Sequence, residues 1–166
     1  MATYLKQLQV ELETAIAGVT GEAWQKSPVG KWNSAQILEH LYLSYRNTNK
    51  GIAKVLETGT SLATGATMTY RLRTLVVLGL GHIPTGMEAP ARVVPRGLPF
   101  AEVHSGIFRE IESMSAGLDA CERRFGAGTA IMDNPRLGPL TSEQWRKFHL
   151  IHGKHHARQI RERSKL

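Results

Sequence analysis

Apolar residues recur along most of the chain at intervals of three and four positions, the spacing of a helix that buries one face. Four long segments carry this pattern. Asn33 or Ser34 can cap the second segment, and Pro99 suits the first turn of the third. Thr141 and Gln144 have the spacing of a capping box that begins the fourth. The predicted helices are 3–18, 34 to about 57, 99–125 and 141 to about 163.

The connections between these helices differ in composition. Residues 58–66 are small and polar and predict a loop, as do residues 126–140. Residues 67–82 are ambiguous between a short apolar helix and a buried strand; a helix is favoured because no partner strand is evident. Residues 83–99 contain four prolines and two glycines, which predicts an irregular connection that serves as a lid or a wall.

Four long helices with one elaborate connection predict an all-α fold, a four-helix bundle with a long crossover connection between helices 2 and 3. A length of 166 residues, 42% of them hydrophobic, fits a single domain over 1–166.

Cys121 is the only cysteine, which fits a reducing compartment and predicts a cytoplasmic protein. The N-terminal segment lacks the apolar stretch of a signal peptide, and Leu75 to Gly81 is shorter than the roughly 20 residues of a membrane span. No membrane partner is therefore expected.

The net charge of +7 is concentrated in residues 141–166, which carry seven basic and two acidic side chains. Such an excess raises the question of a nucleic acid or an anionic membrane surface as partner. The basic face has no interleaved aromatic residues, and the chain has no helix-turn-helix pattern, so nucleic acid is a disfavoured partner.

The last predicted helix contains HLIHGKHHARQI, with four of the seven histidines of the chain. At 100° per residue, His149, His152, His156 and Gln159 share one face, whereas His155 lies about 100° from His156. His152 and His156 form an i, i+4 pair, the spacing at which two imidazoles on one helix can converge on a single ion. A basic, solvated helix face is the alternative interpretation of this cluster.

Two imidazoles alone hold a metal weakly, so a third ligand from another helix is expected. His40 and His104 both lie at the edge of an apolar stripe, and their geometry does not separate them. Either one, taken alone, is more often a hydrogen-bonded core residue than a ligand. Glu39 points about 100° away from its neighbour His40, which argues against a direct role for this carboxylate.

The stretches GKWNSAQILEHL and LGPLTSEQWRKFHLIHGKHHARQI together resemble the DinB-like superfamily of bacterial metal-binding four-helix bundles. The resemblance covers nearly the whole chain. It implies that His40, rather than His104, joins His152 and His156 as metal ligands. It also implies that His149 lines the cavity or carries protons as a catalytic residue, whereas His155 lies at the surface or in a homodimer interface.

Three neutral imidazoles leave a divalent ion with open coordination positions, suited to activating water or a thiol and to polarising an electrophile. The resemblance implies a low-molecular-weight-thiol S-transferase or a hydrolase that acts on small electrophiles, with a thiol such as bacillithiol or mycothiol as co-substrate. Sites made only of histidines accept nickel, zinc, copper or iron(II), and nickel or zinc is the expected metal. The first alternative is a non-catalytic metal-binding or stress-response protein, and nucleic-acid binding is the second.

Overall fold

The computed structural model describes residues 3–84, 86 and 88–166 and is mainly helical, with one small sheet. Thr85 and Met87, within the predicted irregular connection, and residues 1 and 2 of the predicted domain lie outside the described residues. The elements are α1 (Tyr4–Ala17), α2 (Ser34–Thr58), α3 (Met68–Thr74) with a π-helical continuation (Leu75–Gly79), α4 (Phe100–Phe125), β1 (Ala130–Asn134), β2 (Gly138–Thr141) and α5 (Ser142–Arg163), with 3-10 turns at Gly21–Gln25 and Ala91–Val93.

Local hydrogen bonds explain where the long helices begin. The Asn33 side chain accepts from the backbone N–H of Gln36, whose own side chain accepts from the backbone N–H of Asn33. Thr141 and Gln144 form the same reciprocal pair at the start of α5. These bonds satisfy donors that a helix leaves unpaired in its first turn. The predicted predominance of helix is confirmed, and the starts predicted for α2 and α5 coincide with these caps.

The four long helices enclose one apolar core. Helix α1 packs against α5, α2 packs against α4, and both α2 and α4 also contact α5. Gly153 of α5 faces the side chain of Leu8 on α1, so these two helices approach closely. Within the described residues, no helix combines the length and the hydropathy needed to cross a membrane.

The prediction of a loop over residues 126–140 was wrong from residue 130 onward, where the chain forms an antiparallel hairpin. Met132 of β1 pairs with Leu140 of β2, and the register shifts between Ala130 and Met132. The Asn134 side chain accepts from the backbone N–H of Leu137 and so closes the turn. The strands have five and four residues, and the register is irregular, so no sustained period of two could reveal them.

The segment 67–82, ambiguous in the sequence, is helical as favoured. It begins with α3, changes to the π-helix, and lies against α5 and β2. The described residues of the following connection pass over α2, and their 3-10 turn, Ala91–Val93, contacts that helix. This connection therefore lies where α2 carries His40.

Candidate metal centre

Helices α2 and α5 bring three imidazoles together. His40 lies on the inward face of α2, and His152 and His156 lie one turn apart on α5. The Nε2 atom of His152 is 3.2 Å from the Nε2 atom of His40 and 3.2 Å from that of His156. The potential ligand atoms of the three residues all lie within 4.8 Å of one another. The structure thus places the three predicted ligands close enough to hold one metal ion.

In two of these rings, the Nδ1 atom forms a hydrogen bond with an oxygen acceptor outside the triad. The Nδ1 atom of His40 lies 2.8 Å from the carbonyl oxygen of Val93, and that of His156 lies 2.7 Å from Oε1 of Gln159. Because these oxygens can only accept, each Nδ1 atom carries the proton and donates it. The Nε2 atoms of His40 and His156 therefore present lone pairs toward His152.

Burial keeps the three imidazoles neutral. His40 is 4% exposed and His156 is 9% exposed. Desolvation is the main cause that lowers the pKa of His40, and it lowers the pKa of His156 to about 3. The pKa of His152 is lowered well below its ordinary value, first by desolvation and then by the neighbouring imidazoles. Neutral rings are the form that binds a metal ion.

The arrangement fits a divalent cation better than it fits three free imidazoles. A single proton on Nε2 of His152 cannot satisfy the lone pairs on Nε2 of both His40 and His156. If the proton of His152 lies on Nδ1 instead, the lone pairs of three Nε2 atoms converge without a proton between them. Ligand distances of 2.0–2.1 Å in a tetrahedral zinc site correspond to about 3.3–3.4 Å between nitrogens. The two spacings of 3.2 Å are close to that value. The donor set could therefore hold a divalent ion.

Aromatic side chains flank the triad on two sides. The ring of Phe148 stacks on that of His152, with centroids 5.5 Å apart and planes at 10°. Trp32, from the turn before α2, lies 5.2 Å from the ring of His40, and its carbonyl accepts from Nε of Arg163. Apolar walls of this kind restrict water around a metal site. The sequence did not indicate that these two aromatic residues would lie beside the triad.

A family model described as "Protein of unknown function (DUF1569)" matches residues 5–163. The chain belongs to the DUF1569 family. The matched range includes all three imidazoles of the triad and the connection that covers His40. No curated protein and no solved structure matches this DUF1569 protein significantly.

His149, the predicted catalytic residue of this DUF1569 protein, is 1% exposed and lies one helical turn before His152. Its Nε2 atom is 3.1 Å from Oγ1 of Thr48, and its ring stacks on Trp145 with centroids 5.7 Å apart. Burial lowers the pKa of His149 to about 3, so this ring is also neutral. Its catalytic role stays a prediction.

Two further histidines of the DUF1569 chain, His155 and His104, lie outside the triad. His155 is half-buried beside the triad, and its Nε2 atom lies 3.3 Å from Nε2 of Gln159. The Gln159 amide therefore bridges His155 and His156, accepting from one ring and donating to the other. His104 is exposed, and its ring contacts Trp24 and Phe100 instead of the triad.

Glu39 has a role near this site that the sequence did not reveal. Its carboxylate is buried, with the residue 4% exposed, and points away from the triad, as helical phase indicates. It accepts hydrogen bonds from the backbone N–H groups of three consecutive residues of the connection: Arg96, Gly97 and Leu98. No pattern within α2 could indicate this contact, because its partners are backbone groups of a distant segment.

Proposed function

We propose that the chain is a metal-dependent enzyme of the DinB-like type, with His40, His152 and His156 as ligands of one divalent ion, nickel or zinc. The observation that carries this proposal is the convergence of three neutral imidazoles, with Nε2 spacings of 3.2 Å. The four long helices and the connection between α2 and α4 support the corresponding fold, a four-helix bundle with a long crossover.

The proposed reaction is transfer of a low-molecular-weight thiol to a small electrophile, or hydrolysis of that electrophile. A bound ion would act as a Lewis acid toward thiol, water or electrophile. The three ligands are uncharged, so they leave the positive charge of the ion available to these reactants. Of the three ligands, His152 is the most exposed: it is half-buried, whereas the other two are buried.

The thiol in this proposal comes from solution. Cys121 lies in the core at 0% exposure, and burial raises the pKa of its thiol. It is therefore unsuited to act as a nucleophile. A single buried cysteine also supports the proposed cytoplasmic location.

A homodimer is supported by three exposed apolar side chains on one side of α3 and its continuation: Met68, Leu72 and Leu75.

The distribution of cations does not favour nucleic-acid binding. In the basic C-terminal region, Arg146 forms ion pairs with Asp119 and Glu122, at 2.7 and 2.6 Å. Arg161 lies 3.4 Å from Glu11 of α1. Charges that are paired within the protein contribute little to the binding of phosphates.

A non-catalytic metal-binding protein is the second candidate. The observation that favours it is the burial of two ligands, His40 at 4% and His156 at 9% exposure. An ion held there joins α2 to α5 and stabilises the fold even without a substrate.

Metal content tests the binding site that both candidates share. We expect wild-type protein loaded with zinc or nickel to retain about one ion per chain after dialysis, measured by elemental analysis. His40→Ala, His152→Ala and His156→Ala should each lose it, because two imidazoles bind weakly. His155→Ala is the matched control on the same helix and should retain the ion. Retention by any of the three ligand variants would contradict the site.

Turnover separates the enzyme from the structural protein. Metal-loaded protein should consume a low-molecular-weight thiol in the presence of chlorinated or epoxide substrates, and a chelator should abolish the reaction. A panel of thiols and electrophiles without metal-dependent thiol consumption or hydrolysis would support the non-catalytic candidate. The readouts are the loss of free thiol and the formation of product.

A further inference from the structure

The connection between α3 and α4 is attached to α2 by two consecutive side chains. The carboxylate of Glu39 accepts from the backbone N–H groups of Arg96 at 2.8 Å, Gly97 at 3.1 Å and Leu98 at 3.2 Å. Three residues before Arg96, the carbonyl oxygen of Val93 accepts from Nδ1 of His40. We call residues 93–98 the strap.

The conformation of the strap is adapted to a carboxylate. Gly97 has φ of 82°, in the left-handed region, which turns successive N–H groups toward one point. A buried carboxylate is costly unless charge-assisted hydrogen bonds replace its water. Three such bonds to Glu39 therefore favour the one backbone conformation that supplies them.

The same conformation determines the position of the Val93 carbonyl. That oxygen is the acceptor that keeps a proton on Nδ1 of His40 and leaves the Nε2 lone pair directed at the triad. Glu39 does not touch the triad, but it holds the segment that orients one of the ligands.

We propose that Glu39 is a positioning residue for the metal site: by holding the strap, it fixes the carbonyl that orients His40 toward the ion. This inference rests on the proposed metal binding at His40, His152 and His156. Because coupling between two events is reciprocal, ion binding also holds the strap more firmly.

Two substitutions test the proposal without altering a ligand. Glu39→Gln keeps the shape of the side chain but turns an amide N–H toward the N–H groups of the strap. Its matched control is Glu110→Gln, since Glu110 is partly buried and its carboxylate likewise accepts a hydrogen bond between two elements, from Asn49 of α2 at 2.7 Å. Zinc affinity is measured by competition with a coloured chelator at one pH. We expect Glu39→Gln to bind zinc about 10-fold or more weakly, the size of effect that follows when a ligating histidine loses its acceptor, and Glu110→Gln to match wild type.

A backbone substitution provides an independent test in case Glu39→Gln does not fold. Gly97→Ala opposes the left-handed conformation, although its Cβ would meet open space. Gly21, with φ of 51° and equally open surroundings, is the matched control position. Gly97→Ala should weaken zinc binding, whereas Gly21→Ala should not.

Amide hydrogen exchange tests the reciprocal effect in the wild-type protein. Adding zinc should slow exchange at Arg96, Gly97 and Leu98, whose N–H groups contact Glu39. Unchanged exchange there, or zinc affinity of Glu39→Gln within about twofold of wild type, would overturn the proposal, because displacing the acceptor of a ligating histidine changes affinity by more. Equal weakening by Glu110→Gln would also overturn it. Absence of zinc binding by the wild-type protein would instead overturn the proposed function.

Discussion

Replacing His149 with phenylalanine should make the metal-free protein less sensitive to acid. The imidazole is 1% exposed and stacked on Trp145, and burial lowers its pKa to about 3 from the ordinary value of 6.5. Because the folded pKa lies below the unfolded one, the unfolded chain takes up the proton first as the pH falls. The stability contributed by neutral His149 is therefore present above about pH 6.5 and is lost between about pH 6.5 and 3.

The two pKa values determine the size of the effect. At about pH 5, the protonation of His149 in the unfolded chain lowers the free energy of unfolding by about 2 kcal/mol relative to about pH 7.5. Phenylalanine has a similar shape and no proton to gain. In His149→Phe, the loss of stability between these pH values should be smaller by about 2 kcal/mol. The substitution also removes the contact with Thr48, which changes stability at both pH values and cancels in the difference.

Urea denaturation measures this difference directly. Wild type and His149→Phe are unfolded with a chelator present at several pH values between about 7.5 and 5, the range in which the difference develops. The free energies of unfolding are then plotted against pH for both proteins. Parallel curves for the two proteins would refute the reasoning, since they would mean that His149 binds the same number of protons in the folded and unfolded states.

Three further outcomes are expected. Gln159→Leu should weaken zinc binding about 10- to 100-fold in a chelator competition, because Nδ1 of His156 loses its acceptor, whereas Gln159→Glu should retain affinity. Zinc at about 100 times its dissociation constant should stabilise the wild type by about 2.7 kcal/mol, seen as a rise in Tm of about 5–10 °C that a chelator reverses. Gly153→Ala should lower the free energy of unfolding by about 1–3 kcal/mol, because its Cβ would collide with Leu8, whereas Gly128→Ala, with open space around it, should change little.

The candidate site could be predicted in part because one helix carries most of it. A period of 3.6 residues places His152 and His156 on one face and turns His155 aside, and the structure has the first two in the triad. The same reasoning left His40 and His104 equivalent, since both lie at the edge of an apolar stripe, and only the family resemblance preferred His40. The packing of α2 against α5 brings His40 to the triad, whereas His104 contacts Trp24.

The sequence by itself determined the long helices and their starts. Apolar spacing and capping boxes such as Asn33 with Gln36 act within a few residues, so the local sequence contains all the groups involved. The tertiary structure alone decided the hairpin, whose short strands depend on each other, and the contacts of the strap. The acceptor of His40 is the backbone carbonyl of Val93, and the donors to Glu39 are backbone N–H groups. Nearly every residue has such groups, so only the folded chain shows which of them meet.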